Sequence, residues 1–245
     1  MALIDLTGNT ALVTGGATRV GAAIVRALAA AGCDAVIHYA SNAAGARELA
    51  AEIERGGRRA TRIQADLTDR DAVGRLAEGA LEAAGRLDVL VHNAANFERV
   101  PPEALTAEAW DRAMALNATA PYLLTLALAP ALRAARGSVI AITCLSADRP
   151  WKNYLPYAIS KGTLAHLVRG LALGLAPDVR VNGVAPGTVM PPDDYKTDTI
   201  AQIRRRIPLG RIGEADDVAR AVVFFAENDY LTGQILAADG GRSID

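Results

Sequence analysis

The stretch Thr14-Gly15-Gly16-Ala17-Thr18-Arg19-Val20-Gly21 decides how the rest of the chain is read. It follows a short apolar run, Ala11 to Val13, and opens a helical pattern from Val20 to Ala31, so a strand passes through a glycine turn into a helix. Such a turn aims backbone N–H groups and a helix N-terminus at one spot, where a pyrophosphate is bound, because the first N–H groups of a helix lack partners within it. The glycines alone equally fit a tight turn with close helix packing, so the remaining motifs must decide. Arg19 occupies the slot where dinucleotide-binding loops commonly carry a second glycine, and it brings a permanent positive charge toward a phosphate or a neighbouring ligand.

Working outward, short β-branched runs recur between alanine-rich helical stretches. Seven strands are expected, at Thr10 to Thr14, Ala35 to Tyr39, Arg59 to Ala65, Val89 to His92, Ser138 to Thr143, Val179 to Val184 and Gln234 to Ala238. Helical patterns follow at Ala43 to Glu54, Arg70 to Ala84, Ala107 to Leu132, Tyr157 to Leu175 and Glu214 to Glu227. This alternation predicts an α/β fold: a single-domain Rossmann-type doubly wound parallel sheet of about seven strands with helices on both faces, ligands lying beyond the carboxyl ends of the strands.

Composition narrows the function classes. A chain of 245 residues, 51% hydrophobic, buries one substantial core, and no linker or repeat divides it, so residues 1–245 are expected to form one domain. With 26 basic and 27 acidic residues the net charge is −1, which disfavours nucleic acid and anionic membrane as partners. No signal-peptide pattern opens the chain and no apolar run looks long enough to span a bilayer, so the expected location is the cytoplasm. Cys33 and Cys144 lie far apart, and three histidines, His38, His92 and His166, show no metal-ligand spacing, so neither a disulfide nor a metal is expected.

The second strand ends at His38-Tyr39-Ala40-Ser41-Asn42 without an acid. A carboxylate there binds the ribose hydroxyls of a cofactor lacking a 2'-phosphate and repels one that carries it, so its absence, with Arg19 near, favours NADPH. A polar loop without preference is the plainer reading. In Tyr157-Ala158-Ile159-Ser160-Lys161 the tyrosine and lysine share a helix face. Bringing a tyrosine pKa from about 10 to near 7 takes roughly 4 kcal/mol, which one cation about 4 Å away supplies at an effective dielectric of about 20. Lys161, helped by the positive charge of an oxidised nicotinamide, is therefore expected to make Tyr157 a proton donor and acceptor near neutrality, the alternative being a solvated helix pair.

These features coincide with Asn93-Ala94-Ala95 after the fourth strand, Asn117, and Pro186-Gly187, and together they resemble the short-chain dehydrogenase/reductase family over essentially the whole length. The resemblance implies NAD(P)-dependent hydride transfer to a small-molecule substrate by a homotetramer or dimer. It assigns Gly15, Thr18, Arg19, Val20 and Gly21 to the cofactor phosphates, and His38, Tyr39, Ser41 and Asn42 to the ribose end. Asp66 and Leu67 fall beside the adenine, while Asn93, Ala94, Ala95 and Thr143 line the cleft. It gives Asn117 an ordered water on a proton relay, Lys161 the ribose hydroxyls and the tuning of Tyr157, and Pro186, Gly187 and Thr188 the nicotinamide carboxamide. A substrate lid is implied from Val189 to Thr199, within a segment near 189–206. Read without the resemblance, Asp66 also fits a helix cap and Asn117 a satisfied buried amide.

Within that family the arginine at the glycine slot resembles pteridine reductases, as do His38-Tyr39, Phe97, Tyr154 and the terminal Asp239-Gly240-Gly241. A pterin, dihydrofolate or related heterocyclic C=N bond is the leading expected substrate, bound by Arg19, Phe97, Cys144 and Tyr154. Phe97 offers a face for a flat ring, or simply packs under the lid. Cys144 departs from the pattern: carbonyl reductases of the family carry serine there and pteridine reductases often aspartate. It reads equally as a small buried residue, with no cation nearby in sequence and with Ser146 as a substitute hydroxyl. A carbonyl reductase acting on a ketone or 3-oxoacyl substrate is the alternative, and a catalytically weak NADPH-binding regulator or structural subunit is the alternative of another class.

Overall fold

The computed structural model describes residues 3–191 and 195–244. Seven strands, β1 (Thr10–Val13), β2 (Asp34–Tyr39), β3 (Ala60–Gln64), β4 (Val89–His92), β5 (Ser138–Ile142), β6 (Arg180–Pro186) and β7 (Ile235–Ala238), form one sheet in the order β3-β2-β1-β4-β5-β6-β7. Every pairing is parallel. Each strand lies within two residues of its expected bounds. The chain winds outward from β1 in one direction and resumes at β4 in the other. The cleft beyond β1 and β4 is therefore the switch point at which such sheets take ligands.

The two-residue period of the strands explains why helices cover both faces. On β1, Ala11 and Val13 point into one core layer with Ile24 and Leu28 of α1 (Arg19–Ala30), Leu49 of α2 (Ala43–Arg55) and Phe225 of α8 (Ala215–Glu227). Leu12 points into the other, with Leu76 of α3 (Arg70–Ala84), Leu128 of α5 (Ala120–Ala135) and Leu164 of α6 (Leu155–Leu175). Each such buried leucine, isoleucine or phenylalanine contributes about 1.5–3 kcal/mol. Arg180 ties the first layer's α8 to the sheet by donating to the Phe225, Ala226 and Asn228 carbonyls at the terminus of that helix.

The helix expected over Ala107 to Leu132 is corrected to three pieces: α4 (Ala107–Met114), a π turn (Ala115–Thr119) and α5. The break has a local cause. Pro121 has no N–H to give the carbonyl four residues back, at Asn117, so the α pattern widens there. A second correction follows, because the run Ala107–Ala135 is long and apolar enough to cross a membrane, although half of its apolar window is buried in the protein. Both cysteines are buried free thiols. A further helix, α7 (Thr197–Arg205), was not expected from the sequence.

Candidate active site

The glycine turn is built as its sequence requires. Gly15 has φ +63°, and a Cβ there would stand 3.0 Å from the Ala94 backbone, while one on Gly21 would meet the Gly15 carbonyl at 2.1 Å. Arg19 has φ +49°, the left-handed region in which glycine is at ease, so this arginine does occupy a glycine's conformation. Thr18 precedes α1 without capping it by its side chain, and the first turn holds no acid. The helix thus opens with N–H groups and a positive dipole end available to an anion, the fit that a pyrophosphate demands.

Two residues outside the loop hold it. Asn93, just past β4, donates its amide to the Thr14 and Gly15 carbonyls at 3.0 and 3.1 Å, and the Asn93 and Ala94 N–H groups both donate to Thr14 Oγ1. The His38 ring, expected at the cofactor ribose, is buried between two backbone partners and borders the cavity that runs over the ends of β1 and β2. Gly15 N–H donates to His38 Nδ1 at 3.0 Å, which makes Nε2 the protonated nitrogen facing the Ala65 carbonyl at 3.0 Å. Burial pushes the His38 pKa down and keeps the ring neutral.

A cavity of about 530 Å³ runs over the ends of β1, β2 and β3, and its wall includes Gly15, Thr18, Arg19, Val20, Gly21, Tyr39, Ser41, Asn42, Asp66, Leu67 and Ala94. Asn42 caps α2, its Oδ1 accepting from Gly45 N at 3.0 Å. Asp66 does not cap a helix, because that place belongs to Asp69; its carboxylate accepts from Thr68 N and Oγ1 at 2.9 and 2.7 Å, which hold its pKa down. A second cavity of about 720 Å³ lies over β4, β5 and β6 and shares Arg19, Val20, Asn93, Ala95 and Phe97 with the first. The two make one continuous trough, long in the manner of a dinucleotide with a substrate at its end.

Tyr157, Lys161 and Cys144 line the larger cavity together. Burial pushes the Tyr157 pKa well above its ordinary value, and the hydrogen bond and charge of Cys144 act in the same direction. Lys161 does not offset this, since Nζ sits 5.8 Å from the Tyr157 ring centroid and donates to the Ile142 carbonyl at 2.7 Å. Loss of hydration outweighs a cation held at that distance. Burial also lowers the Lys161 pKa to about 8. Lys161 is close enough to interact with Cys144, so the thiol does have a cationic neighbour, which the sequence around it conceals. Ser146 is fully buried and its hydroxyl faces no partner, so it offers the cavity no substitute for a serine at 144.

Asn117 is also fully buried. Its Oδ1 accepts from Asn96 N at 3.1 Å, and its Nδ2 donates to Ser160 Oγ at 2.9 Å and to the Asn96 carbonyl at 3.3 Å. The side chain ties the loop after β4 to α6. Thr143 borders the larger cavity, with its Oγ1 donating to the Val184 carbonyl at 3.0 Å.

The far wall is aromatic. Phe97 stacks on Tyr154 with centroids 4.5 Å apart and meets Tyr157 edge-on at 4.9 Å, so one of its faces is already covered. Trp151 meets Tyr154 edge-on at 6.0 Å, and the Tyr154 and Tyr195 hydroxyls stand 3.4 Å apart. Pro186, Gly187 and Thr188 line the floor, and Gly187 admits no Cβ because Asp239 Cα would be 2.7 Å from it. Of the expected lid, Val189, Met190, Pro191, Tyr195 and Ile203 border the cavity, and Pro192 to Asp194 lie outside the described residues. Arg19 donates to the Met190 carbonyl, joining the glycine turn to this segment. Trp151 and Arg242 were missed by sequence reasoning. The signal for Arg242 was available: β7 is parallel to its neighbours, so whatever follows it reaches the cleft.

The comparisons agree with this geometry. The family described as enoyl-(acyl carrier protein) reductase matches residues 15–243. A Streptomyces violaceoruber protein named as a ketoacyl reductase of the granaticin polyketide synthase is 36% identical, with 96% of each chain covered. The 3beta-hydroxysteroid dehydrogenase 1 of Eggerthella lenta is 33% identical, over 98% of this chain and 95% of its own. A blue fluorescent protein from a metagenomic library, solved in complex with NADPH, superposes with a TM-score of 0.90 at 37% identity, covering 98% of this chain and 99% of that one. With the glycine turn, the Tyr157 and Lys161 pair and the seven-stranded sheet in place, the chain belongs to the short-chain dehydrogenase/reductase family.

Proposed function

We propose that this protein is an NADPH-dependent carbonyl reductase whose substrate is a ketone on an apolar or aromatic frame. The observation that carries the reading is Tyr157, a buried phenol held protonated at the inner end of an aromatic cavity. A phenol in that state is equipped to give a proton to a developing alkoxide. NADPH, when bound along the trough, supplies the hydride that reaches the carbonyl carbon. Tyr157 donates its proton to the carbonyl oxygen, so the ketone becomes an alcohol and the phenol a phenolate. Lys161, charged below about pH 8, stabilises that phenolate and presents its remaining N–H groups to the cofactor ribose. The acid-free strand end at Tyr39 to Asn42, the uncapped α1 and Arg19 support NADPH over NADH.

The carbonyl reading is preferred to the pterin reading on the chemistry of the wall. A pterin presents an edge of N–H donors that calls for acceptors, whereas the described lining of the larger cavity contains no Asp or Glu. Relatives named as a ketoacyl reductase and a hydroxysteroid dehydrogenase support the same choice. The pterin reading retains one observation in its favour: Phe97, 42% exposed, stands where the two cavities meet. An NADPH-oxidation assay with aryl and cyclic ketones, 3-oxoacyl thioesters, dihydrobiopterin and dihydrofolate tests both. Turnover of ketones is expected, and turnover confined to the pterins overturns the proposal. A homotetramer, with a dimer as the alternative, is proposed from the exposed Trp110, Tyr122 and Leu126 on α4 and α5, and light scattering checks it.

A further inference from the structure

Arg242 enters the substrate cavity from the last turn of the chain, Arg242–Ile244, which follows β7. The turn is fixed without the guanidinium: the Asp239 carboxylate accepts from Gly241 N at 2.9 Å and Ser243 N at 2.7 Å, and Arg242 N donates to the Asp239 carbonyl at 3.3 Å. The guanidinium lies 5.9 Å from the Trp151 ring centroid, and one of its N–H groups donates to Thr188 Oγ1. It is half-buried and, among the described residues, pairs with no carboxylate. Arg26, Arg59, Arg86 and Arg112, by contrast, are each matched with an Asp or Glu.

The described wall carries three cations and no acid. Two of the three have other work: Arg19 borders both cavities at their junction and holds the Met190 carbonyl, and Lys161 holds the Ile142 carbonyl beside Tyr157. Arg242 borders only the larger cavity. A half-buried guanidinium beside an indole, with one N–H given to Thr188 Oγ1 and no carboxylate partner among the described residues, keeps donors of its fixed fork for a carboxylate, which that fork matches with two parallel hydrogen bonds.

We propose that Arg242 is the anchor for a carboxylate on the substrate, so that the protein takes oxo acids whose apolar body lies along Phe97, Trp151 and Tyr154. The position of the reacting carbonyl at Tyr157 rests on the carbonyl-reductase reading, while the anchor itself does not. Calorimetric titration of the full-length, NADPH-loaded protein with cyclohexanecarboxylate and benzoate, each against its neutral carboxamide, tests the anchor without turnover. The carboxylates are expected to bind at least 10-fold tighter than the amides, with that preference lost in Arg242→Gln and partly kept in Arg242→Lys. Equal binding of acid and amide, or a preference for the acid that survives Arg242→Gln, overturns the proposal. Kinetics with a keto acid and its methyl ester then separate the two readings. A protein that binds the acids and reduces no ketone keeps the anchor and loses the reductase assignment, whereas ketone reduction blind to the carboxylate does the reverse.

Discussion

A phenol that burial keeps protonated is in the state needed to give a proton to a developing alkoxide, and in the proposed reduction Tyr157 fills that role. Lys161 adds a pH limit. Its pKa falls from 10.5 to about 8, so the ammonium is present below that pH and lost above it. The rate of ketone reduction, measured as kcat/KM, is therefore expected to be level below about pH 8 and to decline above it, and a profile that rises through that point contradicts the assignment. Cys144 tests the same spot from the other side. A hydroxyl donates to a carbonyl more strongly than a thiol, so Cys144→Ser is expected to raise kcat/KM for ketones by about 10-fold, corresponding to about 1.4 kcal/mol. Arg19 holds a conformation that costs a non-glycine residue about 1–2 kcal/mol. Arg19→Gly is accordingly expected to weaken NADPH binding about 10-fold in a fluorescence titration without lowering the melting temperature.

At the scale of elements, the π turn between α4 and α5 carries Asn117 into the protein, where it joins the loop after β4 to α6. Asn117→Ala leaves the Asn96 N–H and Ser160 hydroxyl short of partners, a loss of about 1–3 kcal/mol. A melting temperature lowered by roughly 5 °C is expected, with a larger fall in kcat than in NADPH affinity. The strands and most helices were legible because each obeys a period that its own side chains express, as Ala11, Leu12 and Val13 do by alternating between the two core layers. The π turn was hidden, since the apolar pattern runs straight through it and only Pro121 marks the missing donor. The site was legible where chemistry sits next to a strand end, as at Gly15 and Asn93, or at helical spacing, as at Tyr157 and Lys161. It was illegible where burial decides: nothing in the letters says that the His38 ring holds the glycine loop, or that Lys161 lies nearer to Ile142 than to a phenolate.

Over the whole molecule, the parallel sheet sends the segments after all seven strands to one rim, and the trough is the consequence. The same packing buries His92 completely, with Nε2 2.7 Å from Thr125 Oγ1 and a pKa lowered to about 3 by loss of hydration and then by the charge of Lys161. A histidine that titrates near 6.5 when unfolded and near 3 when folded contributes stability in full above about pH 6.5, and that contribution disappears as the pH falls toward 3. The melting temperature is expected to drop between about pH 7 and 4, and to drop less steeply in His92→Gln. Equal slopes in the two proteins refute this account of the acid side.

The most direct test of the central claim is the rate of NADPH-dependent ketone reduction by Tyr157→Phe, measured beside its NADPH affinity. The phenylalanine keeps the ring that packs on Phe97 and removes only the hydroxyl, so NADPH binding is expected to stay within about 3-fold while kcat/KM falls by at least about 100-fold. Reduction at the wild-type rate by that variant contradicts the assignment of Tyr157 as the proton donor.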